Sequence, residues 1–133
     1  MPELLVAIGS AAGGLARYWL GVAAARAWGN DFPFGTLIIN VSGSFIIGLF
    51  ATLTMASGAV PASPNARLFV MTGLCGGFTT FSAFSLQSVE LMRSGSWLPA
   101  IAYMAASLVL CVGAALLGYW LGLLLAAAST LES

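Results

Sequence analysis

Phe81 and Phe84 stand three residues apart, directly after the run Gly76-Gly77-Phe78-Thr79-Thr80. On a helix that spacing sets both rings on one face. An aromatic ring has a positive edge and a negative face. Ring edges turned into a narrow polar track therefore solvate a small anion without trapping it behind a full positive charge. The same spacing also describes two ordinary core phenylalanines, and the pair alone does not choose between the readings. The run before it has another chemistry. Where a chain leaves its helical path, carbonyls lose their i+4 amides, and converging carbonyl oxygens suit a hard cation such as Na⁺. A kink satisfied by the Thr79 and Thr80 hydroxyls is the alternative.

Two polar stripes accompany this motif. Thr36, Asn40 and Ser44 follow one another at i, i+4, i+8, as do Tyr103, Ser107 and Cys111. Each set shares a helix face. A carboxamide such as that of Asn40 is costly in hydrocarbon unless it is partnered, so it must face protein or water. Hydrogen-bonded helix packing and a polar pathway both satisfy that demand. Arg17 is the basic residue set well inside an apolar stretch. It either draws anions toward a vestibule or pairs with helix-end carbonyls or Glu90.

The elements that hold these residues must be membrane helices. Of 133 residues 60% are hydrophobic and 6% charged, with neither Lys nor His, and the mean hydropathy is +1.02. A soluble domain has about 25% charged residues. Four apolar spans are expected near 4–28, 34–57, 66–93 and 98–126, each longer than the ~20 residues that cross a bilayer. The opening carries no basic leader, so it reads as a first helix and not a signal peptide. The connections Gly29-Asn30-Asp31-Phe32-Pro33, Pro61-Ala62-Ser63-Pro64-Asn65 and Ser94-Gly95-Ser96 carry turn chemistry. Trp28, Trp97 and Trp120, with Phe32 and Phe34, are placed as interface anchors. The reading is one domain, 1–133, of all-α membrane class, with its third helix broken.

Other chemistry is excluded by what is scarce. Cys75 and Cys111 have no clustered His or Cys, so they read as small buried hydrophobes. Glu3 and Glu132 lie at the ends, Asp31 in a loop and Glu90 near a helix end. No carboxylate pair for acid–base or metal chemistry forms within the chain, and an enzyme is not expected.

Four spans put both termini on the side of Arg67, with Arg26 and Arg93 opposite. That balance is nearly even under the positive-inside rule. Insertion in both orientations, and hence an antiparallel homodimer, stands beside a single orientation fixed by other forces. Gly9/Gly13, Ser44/Gly48, Gly73/Gly77 and Gly118/Gly122 are pairs four apart, a spacing that lets helices approach closely. With only four helices available, some of these pairs are expected between subunits.

Taken together, the residues resemble the Fluc/CrcB fluoride channels of bacteria. The resemblance is carried by Gly14-Leu15-Ala16-Arg17-Tyr18, by the stretch from Gly35 to Phe45 around Asn40, and most specifically by the stretch from Gly73 to Ser85. It implies a dual-topology antiparallel homodimer with two fluoride pores in the bacterial inner membrane. In that likeness Phe81 and Phe84 are the pore phenylalanines and Asn40 the pore carboxamide. Arg17 is the vestibule arginine, and Tyr103 and Ser107 line the track. The carbonyls of Gly76 and Thr79, with those of a second subunit, hold a structural Na⁺ that is not transported. The expected partners are fluoride, a second copy and lipid, with no nucleic acid. Two positions depart from the family: Gln87 stands where many relatives have Glu, and Cys111 where a hydroxyl is common. The expected activity is passive export that lowers intracellular fluoride. The rival, a small multidrug-type proton-coupled antiporter, needs a membrane-embedded carboxylate, and span 1 has none after Glu3.

Overall fold

A computed structural model describes residues 1–55 and 57–131; Glu132 lies outside the described residues. The described chain is helical, without strands, and four stretches are long and apolar enough to cross a membrane: Pro2–Trp28, Phe34–Leu53, Pro64–Arg93 and Trp97–Ser129. This is a multi-pass membrane protein. Its surface is correspondingly apolar: Leu108, Val109, Leu117 and Leu124 are each about two-thirds exposed, which suits hydrocarbon or another apolar helix face and not water.

Helix α1 (Pro2–Trp28) starts with proline in its first turn, where a missing N–H is harmless. It ends at Gly29, whose φ of +77° glycine adopts without strain. Helix α2 (Phe34–Leu53) stops four residues short of the expected 57. There the Thr54 hydroxyl bonds back to Phe50 O at 2.6 Å. Arg67 Nη1 donates to Ala51 O at 3.1 Å and to Thr54 Oγ1. A guanidinium on the last carbonyls of a helix both caps them and opposes the negative end of its dipole.

The third span is composite. A short α3 (Pro64–Arg67), capped by Ser63, leads into a π-helical stretch (Leu68–Cys75) and then α4 (Gly76–Phe78). After two non-helical residues α5 runs over Phe81–Arg93. It closes in a left-handed turn at Gly95, with Gly95 N–H on Met92 O at 3.1 Å and Ser96 N–H on Leu91 O at 2.9 Å. Helix α6 (Trp97–Leu131) has 35 residues and outruns the expected 98–126. At 1.5 Å per residue it is about 52 Å long; its one proline, Pro99, sits in the first turn, where a missing N–H is harmless, and no left-handed glycine follows among the described residues.

Small residues set how these helices meet. A Cβ on Gly9 would lie 2.9 Å from Gly73 Cα, one on Gly13 2.8 Å from Phe78 N, and one on Gly77 2.7 Å from Ser10 Cα. So α1 lies backbone to backbone on the first half of the third span. Between α2 and α6, Gly48 abuts the Ala115 carbonyl, Gly118 the Phe45 carbonyl, and Gly122 the Thr52 side chain. All seven of these glycines close contacts inside one chain. At Gly9, Gly13, Gly48, Gly77 and Gly118 a Cβ would overlap backbone, which cannot yield, and at Gly122 it would strike the Thr52 side chain.

Candidate functional site

The α2–α6 seam is parallel and in register. Thr52 Oγ1 donates to Tyr119 O at 3.2 Å, a separation of 67 residues. The same offset joins Gly48 to Ala115, Ser44 to Cys111 and Thr36 to Tyr103. The two polar stripes thus face each other rung by rung, and the offset sets Asn40 at the level of Ser107.

The rungs are satisfied unequally. Tyr103 is fully buried and its hydroxyl donates to Gln87 Oε1 at 2.9 Å. Ser107 is 7% exposed, and its Oγ is buried with no hydrogen-bond partner among the described residues. Asn40 turns its carboxamide away from α6: Nδ2 donates to Thr80 O at 3.0 Å, and Oδ1 accepts Thr80 N–H at 2.8 Å.

Thr80 is where the third span leaves its helical path. Thr79 (φ −79°, ψ 156°) and Thr80 (φ −150°, ψ 110°) are extended, a conformation that suits β-branched side chains. Gly76 stays helical at φ −64°, ψ −37°. The departure is narrower than the Gly76–Thr80 run suggests, and Gly77 serves packing against Ser10. Thr79 N and Oγ1 both donate to Cys75 O at 2.9 Å, and Thr80 Oγ1 caps α5 by accepting Ala83 N–H at 3.1 Å. Threonine hydroxyls do partner this turn, but not all of it. The amides that a continuous helix would send to the carbonyls of Gly76 and Thr79 are those of Thr80 and Ala83. Both go to side chains instead.

The rings form a chain. Phe81 and Phe84 centroids are 5.3 Å apart, Phe84 and Tyr103 5.3 Å, and Tyr103 meets Phe32 edge-on at 5.5 Å. Phe32, expected at the interface, thus packs over the Tyr103 rung. Sequence reasoning missed this, and the only signal was its place in the short α1–α2 loop. Phe81 is 79% exposed and Phe84 half-buried.

A cavity of about 1180 Å³ opens between α1, α2 and α5, lined by Arg17, Asp31, Thr36, Thr80, Gln87 and Glu90 among others. Arg17 is half-buried there, and among the described residues it closes no ion pair with Glu90. The cavity brings Arg17 to Thr36 and Thr80, but Asn40, Ser107, Phe81 and Phe84 do not line it.

The sequence profile of the CrcB-like protein, camphor resistance (CrcB) family matches residues 4–119. The chain belongs to this family. It is 57% identical over 116 residues to a fluoride-specific ion channel FluC of Methylobacterium radiotolerans, covering 87% of this chain and 80% of that one. It is 52% identical over 128 residues to one of Methylocella silvestris, covering 96% and 95%. Against one of Gluconobacter oxydans it is 53% identical over 117 residues, covering 87% and 81%. The candidate site residues, from Arg17 to Ser107, fall within the stretch matched by the CrcB-like profile.

Proposed function

We propose that this chain forms a fluoride-selective channel that lets cytoplasmic fluoride leave passively across the bacterial inner membrane. The observation that carries the reading is the likeness to fluoride-specific ion channels at 52% identity over 96% of the chain. The seam between α2 and α6 supplies supporting chemistry. Fluoride is small and strongly hydrated, so a pore must replace its water with donors and positive ring edges, at sites weak enough to release it. Ser107 offers a buried hydroxyl proton that no atom of the described residues accepts. Tyr103 lines the same stripe, and Phe81 and Phe84 supply ring edges. Arg17, with no ion pair among the described residues, would concentrate anions in the cavity. Asn40 belongs to the same track by position.

The working unit in this reading is an antiparallel homodimer. One chain exposes Phe81 and brings the diverted carbonyls of Gly76 and Thr79 to the turn, whereas a second copy in the opposite orientation would double both. The carbonyls of Gly76 and Thr79 fit a Na⁺ ion, since hard cations take uncharged oxygens and these two have lost their helical amides. A resident Na⁺ would supply fixed positive charge near the pores and is not itself transported. Acid-driven entry of neutral HF, followed by dissociation inside, sets the outward gradient. The antiporter alternative gains nothing from the relatives' names, and Glu3 is exposed at the start of α1. Fluoride release from Na⁺-containing liposomes, read with a fluoride electrode beside a chloride control, tests the function. Fluoride efflux without chloride efflux is expected, and impermeable vesicles contradict it.

A further inference from the structure

A serine in a membrane helix can satisfy its hydroxyl on its own backbone, one turn back. Ser42 does so, donating to Ile38 O at 2.7 Å and to Ile39 O at 3.1 Å, and Ser88 donates to Phe84 O at 2.8 Å. Ser44 differs. Its hydroxyl makes no such back-bond among the described residues and meets the Cys111 thiol of α6 instead. Sulfur is a weak acceptor, so the Ser44 proton is loosely held and passes to a better acceptor at little cost.

The place of this rung matters as much as its chemistry. Ser44 and Cys111 lie one turn, about 6 Å, beyond Ser107 along the seam, and both are half-buried where Ser107 is buried. One turn further Gly48 abuts the Ala115 carbonyl, so the seam shuts on backbone, and the carbonyl oxygen there repels an anion. A fluoride that has reached Ser107 therefore has no longer path between the helices and must leave at the level of Ser44. At that level the stripe on α6 offers only a thiol, a poor donor for a strongly hydrated anion.

We infer that Ser44 is the last fluoride donor of the seam, so that the polar track crosses from α6 to α2 between Ser107 and the rung where the ion is released. This deepens the fluoride reading under Proposed function and rests on it. A hydroxyl that donates to the ion and one that only packs differ in what can replace them. The first is made good by a hydroxyl set opposite it on the facing helix, and the second is not.

The test reads fluoride efflux from Na⁺-containing liposomes and thermal unfolding of the same preparations, using the full chain throughout. Ser44→Ala is expected to lower efflux about tenfold, the order set by one lost hydrogen bond to a charged group, with unfolding unmoved. Adding Cys111→Ser to Ser44→Ala returns a hydroxyl to the same level from α6, and efflux should recover to within about threefold of the unmodified chain. Ser44→Gly removes the hydroxyl without leaving a methyl on the seam, should match Ser44→Ala, and takes its place if that variant does not fold. Undiminished efflux from the folded single variant overturns the inference. So does a loss that Cys111→Ser fails to restore, because the Ser44 hydroxyl would then shape the seam without serving the ion. Loss of fold in both Ser44→Ala and Ser44→Gly overturns it as well, since the side chain would then hold the subunit together. An impermeable unmodified chain instead removes the fluoride reading itself, a result distinct from these three.

Discussion

The two halves of the α2–α6 seam share helices, direction and register, and differ only in the residues that meet. Along Phe45–Thr52 the contact is bare backbone. Gly48, Gly118 and Gly122 each lie where a Cβ would strike the facing helix, and the Thr52 hydroxyl is fully partnered. Along Thr36–Ser44 the rungs are polar. Asn40 is diverted to Thr80, and Ser107 keeps a buried hydroxyl without a partner among the described residues. A bilayer gives helices no hydrophobic reason to associate, so the first half adheres by close packing and one interhelical hydrogen bond. The second half tolerates an unsatisfied group that such a seam would normally exclude. In the proposed channel, stability and conduction would then be separable along one pair of helices.

The largest expected effect breaks the packed half. Gly118→Leu forces a branched side chain onto the Phe45 carbonyl and the Leu49 amide, 2.9 Å from a bare Cβ. It should abolish recovery of monodisperse protein in size-exclusion chromatography. Smaller and more telling is a pair of substitutions, one in each half. Ser107→Ala should lower fluoride efflux about tenfold while raising stability by about 1 kcal/mol, because it removes an unsatisfied buried hydroxyl. Thr52→Val should leave efflux unchanged and lower stability by about 0.6 kcal/mol, the usual worth of an interhelical hydrogen bond. Thermal unfolding and efflux on the same preparations read both signs, and matching signs in the two variants would erase the contrast. The smallest effect is expected of Arg17→Gln. Efflux should fall about threefold at low ionic strength and return toward the unmodified rate near 1 M salt, where screening acts within about 3 Å.

Much of the scaffold was legible because its causes are local. Apolar runs longer than a bilayer thickness marked four spans, and i+4 spacing set Thr36, Asn40 and Ser44 on one face before any fold was known. The stretch from Gly73 to Ser85 carried the family. What escaped is tertiary. No local rule states that α2 and α6 run parallel at a 67-residue offset, so the facing of the two stripes was invisible. The stop of α2 at Leu53 depends on Arg67 reaching back to Ala51, and the intrachain fate of the glycines on which helix lay opposite. Asn40 could be assigned a need for a partner, but Thr80, 40 residues away, could not be named from composition or spacing.

The account turns on the polar half of the seam, with its ring edges, being the path of fluoride. Its most direct test is the fluoride efflux rate from Na⁺-containing liposomes bearing the unmodified chain or Phe84→Ile, both verified as folded dimers. Rapid efflux from the first, reduced at least about a hundredfold in the second, is the result predicted. Equal rates from the two, or none from the unmodified chain, would contradict it.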